Sequence, residues 1–384
     1  MHIVENTVKP VCYAIQAARG KLLADKFSGI KHLWLISERG TEARDNGWFF
    51  YKYLIEHHPE IFPVYVIDPA SADFSKVSRL GGMTVRPGSW EHYAIMEAAE
   101  ALISTHDCGF TPDMLTFHNF YKNRMFVPKG KRILLQNGIT DKNIPWFYRE
   151  ECTPDLFVVS AETERVIVTE LFMQPEEVVK LTGMPRYDTL MDAEPENLVL
   201  VMPTWRQYLV NKSPESFRKS GYYLFYSDLI SSEALQKVLK EYGWKMVFYP
   251  HIEMQKFHAF HADGQWIRTA SFESDDVQDL LKRCRILVTD YSSVYFDAAY
   301  MGKDIIFTQF DRTSFENDHF NGCLINYEQF GTVTEMLGET EDEIREAILN
   351  PGQKRMEQQD FFKWHDSRNC DRVFEEIRRT VGTF

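Results

Sequence analysis

Short apolar runs alternate along this chain with helix-length amphipathic stretches, a pattern that predicts an α/β protein built on parallel sheets. In the first half the runs are "HLWLIS" (32–37), "VYVID" (64–68), "TVRPG" (84–88), "ALISTH" (101–106), "RILLQNG" (132–138), "LFVVS" (156–160) and "VVKLTG" (178–183). Several end in Ser, His, Asn or Gly, and open α/β sheets place ligands at the carboxyl ends of their strands. A polar, proline-containing stretch, "MDAEPEN" (191–197), reads as a linker. Beyond it comes a second series: "LVLVMPTW" (198–205), "KMVFYPH" (245–251), "QWIRTAS" (265–271), "RILVTD" (285–290) and "DIIFTQF" (304–310). The opening "VENTVKPVCYAIQAARGKLLADKF" (4–27) predicts one broken helix, and the tail is helical. The expected architecture is two doubly wound, Rossmann-type domains facing a central cleft. Their bounds are 1–190 and 191–365, with a C-terminal helix at 366–384 packing back on the first.

Composition narrows the function classes. A chain of 384 residues exceeds what one core fills, which agrees with two domains. The net charge of −13 argues against a protein that coats nucleic acid, so any anionic substrate must meet local cations. The six cysteines (12, 108, 152, 284, 323, 370) form no C-x-x-C pair, which suggests neither a disulfide framework nor a zinc knuckle. A cytoplasmic setting is expected, without a signal segment or an apolar run of about 18 residues. Aromatic residues make up 14% of the chain, enough to fill cores or to line a stacking cleft.

Candidate chemistry gathers at the strand ends. In "VTDYSSVYFDAAYMG" the apolar positions Val294, Ala298 and Met301 predict a helix from about Ser293 to Gly302. Ser292 and Ser293 then sit at its N-terminus, as a phosphate site or simply as a cap. "FYPH" ends at His251 and "MPTWR" at Arg206; each is either a charge facing the same edge or an ordinary strand-end residue. "TGMPRYD" puts Arg186 in a rigid turn, where it reaches the cleft or pins a loop. "SERGTEARDNGWFFYKY" (37–53) brings Glu38, Arg39, Arg44, Asp45 and Asn46 together, as an acceptor loop or a solvated helix start. His251, His258 and His261 match no ligand spacing, so no metal and no cofactor is expected.

Taken together, these segments resemble the CDP-glycerol glycerophosphotransferase family of teichoic-acid and capsule enzymes. The resemblance also includes "ILLQNGITDKNIPWF" and "SFENDHF", and "DYSS-V-x-F-D" carries most of its specificity. It implies a GT-B fold and transfer of a polyol phosphate from CDP-glycerol or CDP-ribitol to an acceptor hydroxyl, with release of CMP. Ser292 and Ser293 would hold the diphosphate, Asp290 and Tyr291 would shape their turn, and His251 would assist departure of CMP. Thr204, Arg206 and Arg186 would complete the donor side. A lipid-linked or polymer acceptor and the inner membrane surface are the implied partners, with no nucleic acid; Lys9, Arg19, Lys21 and Lys26 give the first helix a basic face.

One position departs from the family. Where members carry "QHG", with the histidine as general base, this chain reads Gln136-Asn137-Gly138. An amide accepts no proton near neutral pH, and losing a positioned base typically costs about 10²–10⁴-fold in rate. His106 and Asp45 are the candidate substitute bases. The rival expectations are a glycosyltransferase using a nucleotide sugar and a non-catalytic homologue that binds nucleotide or polymer.

Overall fold

The computed structural model describes residues 2–318, 323–352 and 360–382, with side-chain surroundings from residue 9 onward and not for Asp318. Of the "SFENDHF" segment, His319 and Phe320 lie outside the described residues. The chain divides into two compact units. One comprises Met1–Ile139, Pro145–Asp188 and Lys363–Phe384; the other comprises Thr140–Ile144 and Thr189–Phe362.

The first unit is built on seven strands: β1 (Leu33–Ser37), β2 (Phe62–Val66), β3 (Met83–Val85), β4 (Ala101–Ser104), β5 (Lys131–Leu134), β6 (Leu156–Val159) and β7 (Val179–Leu181). All pairings are parallel, in the order β3-β2-β1-β4-β5-β6-β7. Helices cover both faces, which is why β1, β4 and β6 are buried at every position and read as unbroken apolar runs. The order reverses between β1 and β4, so their carboxyl-terminal loops diverge there and leave a crevice.

The opening segment forms a single helix, His2–Leu23, that carries Pro10 within it. It packs on the helix Trp90–Ala98 through Tyr13, Ala17 and Gly20. A Cβ at Gly20 would lie 2.5 Å from Tyr93 Cβ, so only glycine permits this approach. The C-terminal helix, Asn369–Val381, buries Val373, Phe374 and Ile377 in the same core as Trp34 and Phe50. Its N-terminus is capped by Asp188, which accepts the backbone N–H groups of Asn369 (2.7 Å) and Cys370 (2.8 Å).

The second unit has six parallel strands: β8 (Leu198–Val201), β9 (Lys245–Phe248), β10 (Ile267–Thr269), β11 (Ile286–Thr289), β12 (Asp304–Thr308) and β13 (Thr332–Thr334). Their order is β10-β9-β8-β11-β12-β13, with the reversal between β8 and β11. Register pairs Val201 with Phe248 and with Val288, so the loops that follow β8, β9 and β11 start level with one another. The twelve apolar runs expected from the pattern are all strands; β13, three residues at the sheet edge, is an addition. Most runs overshoot, because their last residues leave the sheet as loops, and those loops hold the polar side chains.

Candidate active site

In the first unit the loops after β1 and β5 converge on one side chain, Arg186. Its Nη1 donates to Asp45 Oδ1 at 2.8 Å and to the Asn137 carbonyl at 3.0 Å, while its backbone N–H meets Asn46 Oδ1 at 3.1 Å. Asn46 is buried and donates through Nδ2 to the Gln136 carbonyl at 2.7 Å. Gln136 is buried and adopts a left-handed φ of 60°, a conformation a non-glycine residue keeps only when held there. The hold is visible: its Nε2 donates to Glu164 Oε1 at 2.9 Å and to the Val158 carbonyl at 2.6 Å. This braced turn leaves Asn137 exposed at the sheet edge.

Asp45 also starts the helix Asn46–His57 as its N-cap. Glu38 completes that helix end, accepting the N–H groups of Arg44, Asp45 and Trp48 at 2.8–2.9 Å. Its carboxyl is pushed up to about 8 by burial, then by the Asp45 charge, against those three donors. Glu38 and Asn46, expected on an acceptor-facing loop, are therefore framework: both are buried and have their hydrogen bonds made inside the unit. Arg44 pairs with Asp73 at 2.8 Å, and the guanidinium of Arg39 is largely exposed beside Glu42 and His106.

His106 is the weaker of the two substitute bases. Arg39 Nε donates to its Nε2 at 3.2 Å, and Thr105 Oγ1 lies 2.9 Å from Nδ1, so both ring nitrogens are engaged. Burial and the Arg39 charge push the imidazole down to about 3, which leaves it neutral and a poor proton acceptor at neutral pH. Arg186, expected on the donor side, is a correction of another kind. It is buried at 3% exposure in the first unit, where it fixes Asp45 and Asn137.

In the second unit the Asp290–Ser293 turn follows β11 at the strand-order reversal. Asp290 is fully buried and its Oδ1 accepts the N–H groups of Thr204 (2.8 Å) and Tyr291 (2.6 Å). That carboxylate stitches the β8 loop to the β11 loop. Arg206 was expected to offer charge to a phosphate, but it is 0% exposed. It lies 2.9 Å from Asp290, binds Asp311 through Nε (2.7 Å) and Nη2 (3.0 Å), and donates to the Thr204 carbonyl. Burial opposes its charge, yet the two carboxylates hold it protonated well above the usual range. Arg206 is a brace with both faces occupied.

What this brace presents is a set of hydroxyls and an imidazole. Ser292 and Ser293 are half-buried at the start of the short helix Val294–Tyr300, and Ser293 makes no side-chain cap bond. Thr204 Oγ1 is buried with no hydrogen-bond partner among the described residues. The His251 ring lies 6.2 Å from the Trp205 ring, and its Nδ1 accepts the Glu253 N–H at 3.2 Å. In the neutral ring that bond places the proton on Nε2, so the imidazole presents a donor. Next to the turn, a cavity of about 630 Å³ is lined by Gln309, Arg312, Asn326, Tyr327 and Glu335, and Gln309 Nε2 bonds the Asp290 carbonyl at 3.4 Å.

Gln136, Glu164 and Asp311 are the residues that sequence reasoning did not single out. Asp311 had a signal, an acid just beyond the β12 run; Gln136 and Glu164 had none outside the fold.

The family model described as CDP-Glycerol:Poly(glycerophosphate) glycerophosphotransferase matches residues 23–379. The chain is 28% identical over 369 residues to the Minor teichoic acid biosynthesis protein GgaB of Bacillus subtilis (strain 168), covering 90% of this chain and 40% of that protein. It is 26% identical over 235 residues to the Teichoic acid poly(ribitol-phosphate) polymerase of Bacillus spizizenii (strain ATCC 23059 / NRRL B-14472 / W23), covering 57% of this chain and 36% of that one. The chain thus spans 40% or less of the length of these two relatives. Its fold matches that of the Wall Teichoic Acid Polymerase TagF with a TM-score of 0.70 at 16% identity, over 99% of this chain and 97% of that one. The S. aureus MnaA-UDP co-structure matches with a TM-score of 0.55 at 12% identity, over 91% and 97%. At these identities the structural likeness is one of fold.

Proposed function

From the premise that the chain belongs to the CDP-glycerol:poly(glycerophosphate) glycerophosphotransferase family, we propose that it transfers a polyol phosphate in teichoic acid synthesis. The donor is CDP-glycerol or CDP-ribitol. An acceptor hydroxyl attacks the β-phosphorus, the bond from that phosphorus to the bridging oxygen breaks, and CMP leaves as the hydroxyl proton is lost. The observation that carries this reading is the Asp290–Ser293 turn, braced by the buried Arg206–Asp290 pair and Asp311, with Thr204, Ser292 and Ser293 in the two loops that Asp290 joins.

In this reading Ser292, Ser293 and Thr204 hydrogen-bond the diphosphate, and His251 donates from Nε2 to the departing phosphate. Fixed dipoles and donors of this kind stabilise the charge that develops at the leaving oxygen. The cavity lined by Gln309 and Asn326 takes the cytidine, being within the size range of small-molecule sites. On the acceptor side Asn137 orients the hydroxyl. Asp45, held by Arg186 next to the Asn137 turn, is the favoured proton acceptor in place of His106. A loose phosphoryl-transfer transition state asks for little early deprotonation, so a weak base sustains some turnover.

The acceptor is a lipid-linked or polymeric polyol, and the enzyme works at the inner face of the membrane. No helix among the described residues is long and apolar enough to cross a membrane. The first helix leaves Val11 (55%), Ile15 (61%) and Leu22 (82%) exposed among Lys9, Arg19 and Lys21, a surface suited to an anionic leaflet. Calorimetry tests the donor assignment. CDP-glycerol or CDP-ribitol binds the wild-type chain and binds at least tenfold more weakly after Ser292→Ala with Ser293→Ala; unchanged affinity rejects the site.

Asn137 supports a second reading, a homologue that binds donor or polymer without turning it over. Asn137→His separates the two: a rise in transfer rate marks an enzyme short of its base, whereas donor binding with no transfer in either form marks a binding protein.

A further inference from the structure

We propose that Asp107, Cys108, His118 and Cys152 of the first unit form a site for a zinc-type divalent transition ion, with no part in the transfer chemistry above. One donor atom each from Asp107, Cys108 and His118 lies within 4.8 Å of the other two, the one such set among the described residues. The carboxyl of Asp107 also meets the thiol of Cys152, so a fourth potential donor stands beside these three. Ligands bound to zinc at about 2.0–2.3 Å stand roughly 3.3–3.8 Å apart in a tetrahedron, so the cluster needs a contraction of about 1 Å.

The donors come from three separate elements. Asp107 and Cys108 follow β4, His118 is on the helix Met114–Lys122, and Cys152 ends the turn after Phe147. Both cysteines are buried, and Cys108 is held at a left-handed φ of 57°. His118 has an outer partner, Glu151, whose Oε2 lies 3.1 Å from Nε2. A carboxylate that takes the Nε2 proton leaves the lone pair on Nδ1, the tautomer that ligates a metal and the arrangement common around bound zinc.

Charge and donor softness agree on the class of ion. Two thiolates and a carboxylate around a divalent ion leave one negative charge. Arg132, close enough to act on Asp107 and fixed by Tyr121 and Thr153, offsets it. Two thiolates with an imidazole favour zinc over magnesium or calcium, which take oxygen ligands. The ion would tie the loop after β4, and with it His106 and its partner Arg39, to the elements that bear His118 and Cys152.

The test uses the full chain, purified under reducing conditions from zinc-supplemented culture. Elemental analysis is expected to give about one zinc per chain, and Co²⁺ exchanged into the site to give a thiolate-to-metal charge-transfer band. Cys108→Ser, Cys152→Ser and His118→Gln each lower the retained zinc at least fivefold, whereas Cys12→Ser, at an exposed thiol, leaves it unchanged. Less than about a tenth of an equivalent in the wild type, with no charge-transfer band on Co²⁺ addition, overturns the proposal. Wild-type zinc content in both Cys108→Ser and His118→Gln overturns it equally.

Discussion

Replacing Arg206 by methionine tests the distinction between a brace and a phosphate ligand. The substitution keeps an unbranched stem, shortened by the guanidinium end, and removes the charge. In the folded unit it leaves Asp290, at 0% exposure, facing Asp311 with no cation between them. Asp290 then keeps only the N–H groups of Thr204 and Tyr291 and a long bond from Tyr226 at 3.4 Å. Breaking a buried pair by removing one partner costs about 3–5 kcal/mol, because the remaining charge is buried without compensation. For a unit of this size that corresponds to a fall in melting temperature of roughly 6–20 °C. Urea unfolding followed by tryptophan fluorescence reads the loss directly, and adding Asp290→Asn to the methionine variant is expected to restore part of it. A stability loss below about 1 kcal/mol, accompanied by weaker CDP-glycerol binding, would refute the reasoning and return Arg206 to the phosphate.

Three further outcomes follow from the same geometry. His92 is fully buried between Gly88 and Phe110, and burial pushes it down to about 4 from 6.5. The unfolded chain binds the proton first, so stability is full above pH 6.5 and falls as pH drops toward 4, by about 2–3 kcal/mol at pH 4.5; urea midpoints at pH 7.5 and 4.5 check it, and His92→Gln flattens the difference. Glu38→Gln replaces one of the oxygens that receive the first N–H groups of the helix Asn46–His57, and is expected to cost about 1–3 kcal/mol by the same measurement. Asn137→His is expected to raise the transfer rate by about 10²–10⁴-fold, with a pH profile rising near the imidazole pKa; an unaltered rate would mean that Asn137 does not face the acceptor.

The sequence pattern carried the two parallel sheets well, because strands buried on both faces show as apolar runs between amphipathic helices. Strand ends were harder. "RILLQNG" continues as an apolar-to-polar run past Leu134, yet the backbone turns left-handed at Gln136, where Glu164, Val158 and Asn46 hold it. Arg206 illustrates a deeper limit. One guanidinium at a strand end looks the same in sequence whether it faces solvent or two carboxylates, and Asp311 is 105 residues away. Glu38 and Asn46 pose the same difficulty, since charged and amide side chains that cap a helix or clip two loops are indistinguishable from ligand-binding ones until the loops are placed. The Asp290–Ser293 turn fared better: its helix start was legible, and the reversal of strand order beside it gave the location a meaning that spacing alone does not.

Donor chemistry decides between polyol-phosphate transfer and sugar transfer, and CMP release reads it. The wild-type chain is to be incubated with CDP-glycerol, CDP-ribitol and a nucleotide sugar in turn, with a polyol-phosphate oligomer as acceptor. Products are followed by nucleotide chromatography and phosphorus NMR. The proposed polyol-phosphate transfer yields CMP and a new phosphodiester from one of the two CDP-polyols, and nothing from the sugar donor. Turnover of the sugar nucleotide with both CDP-polyols inert would contradict it.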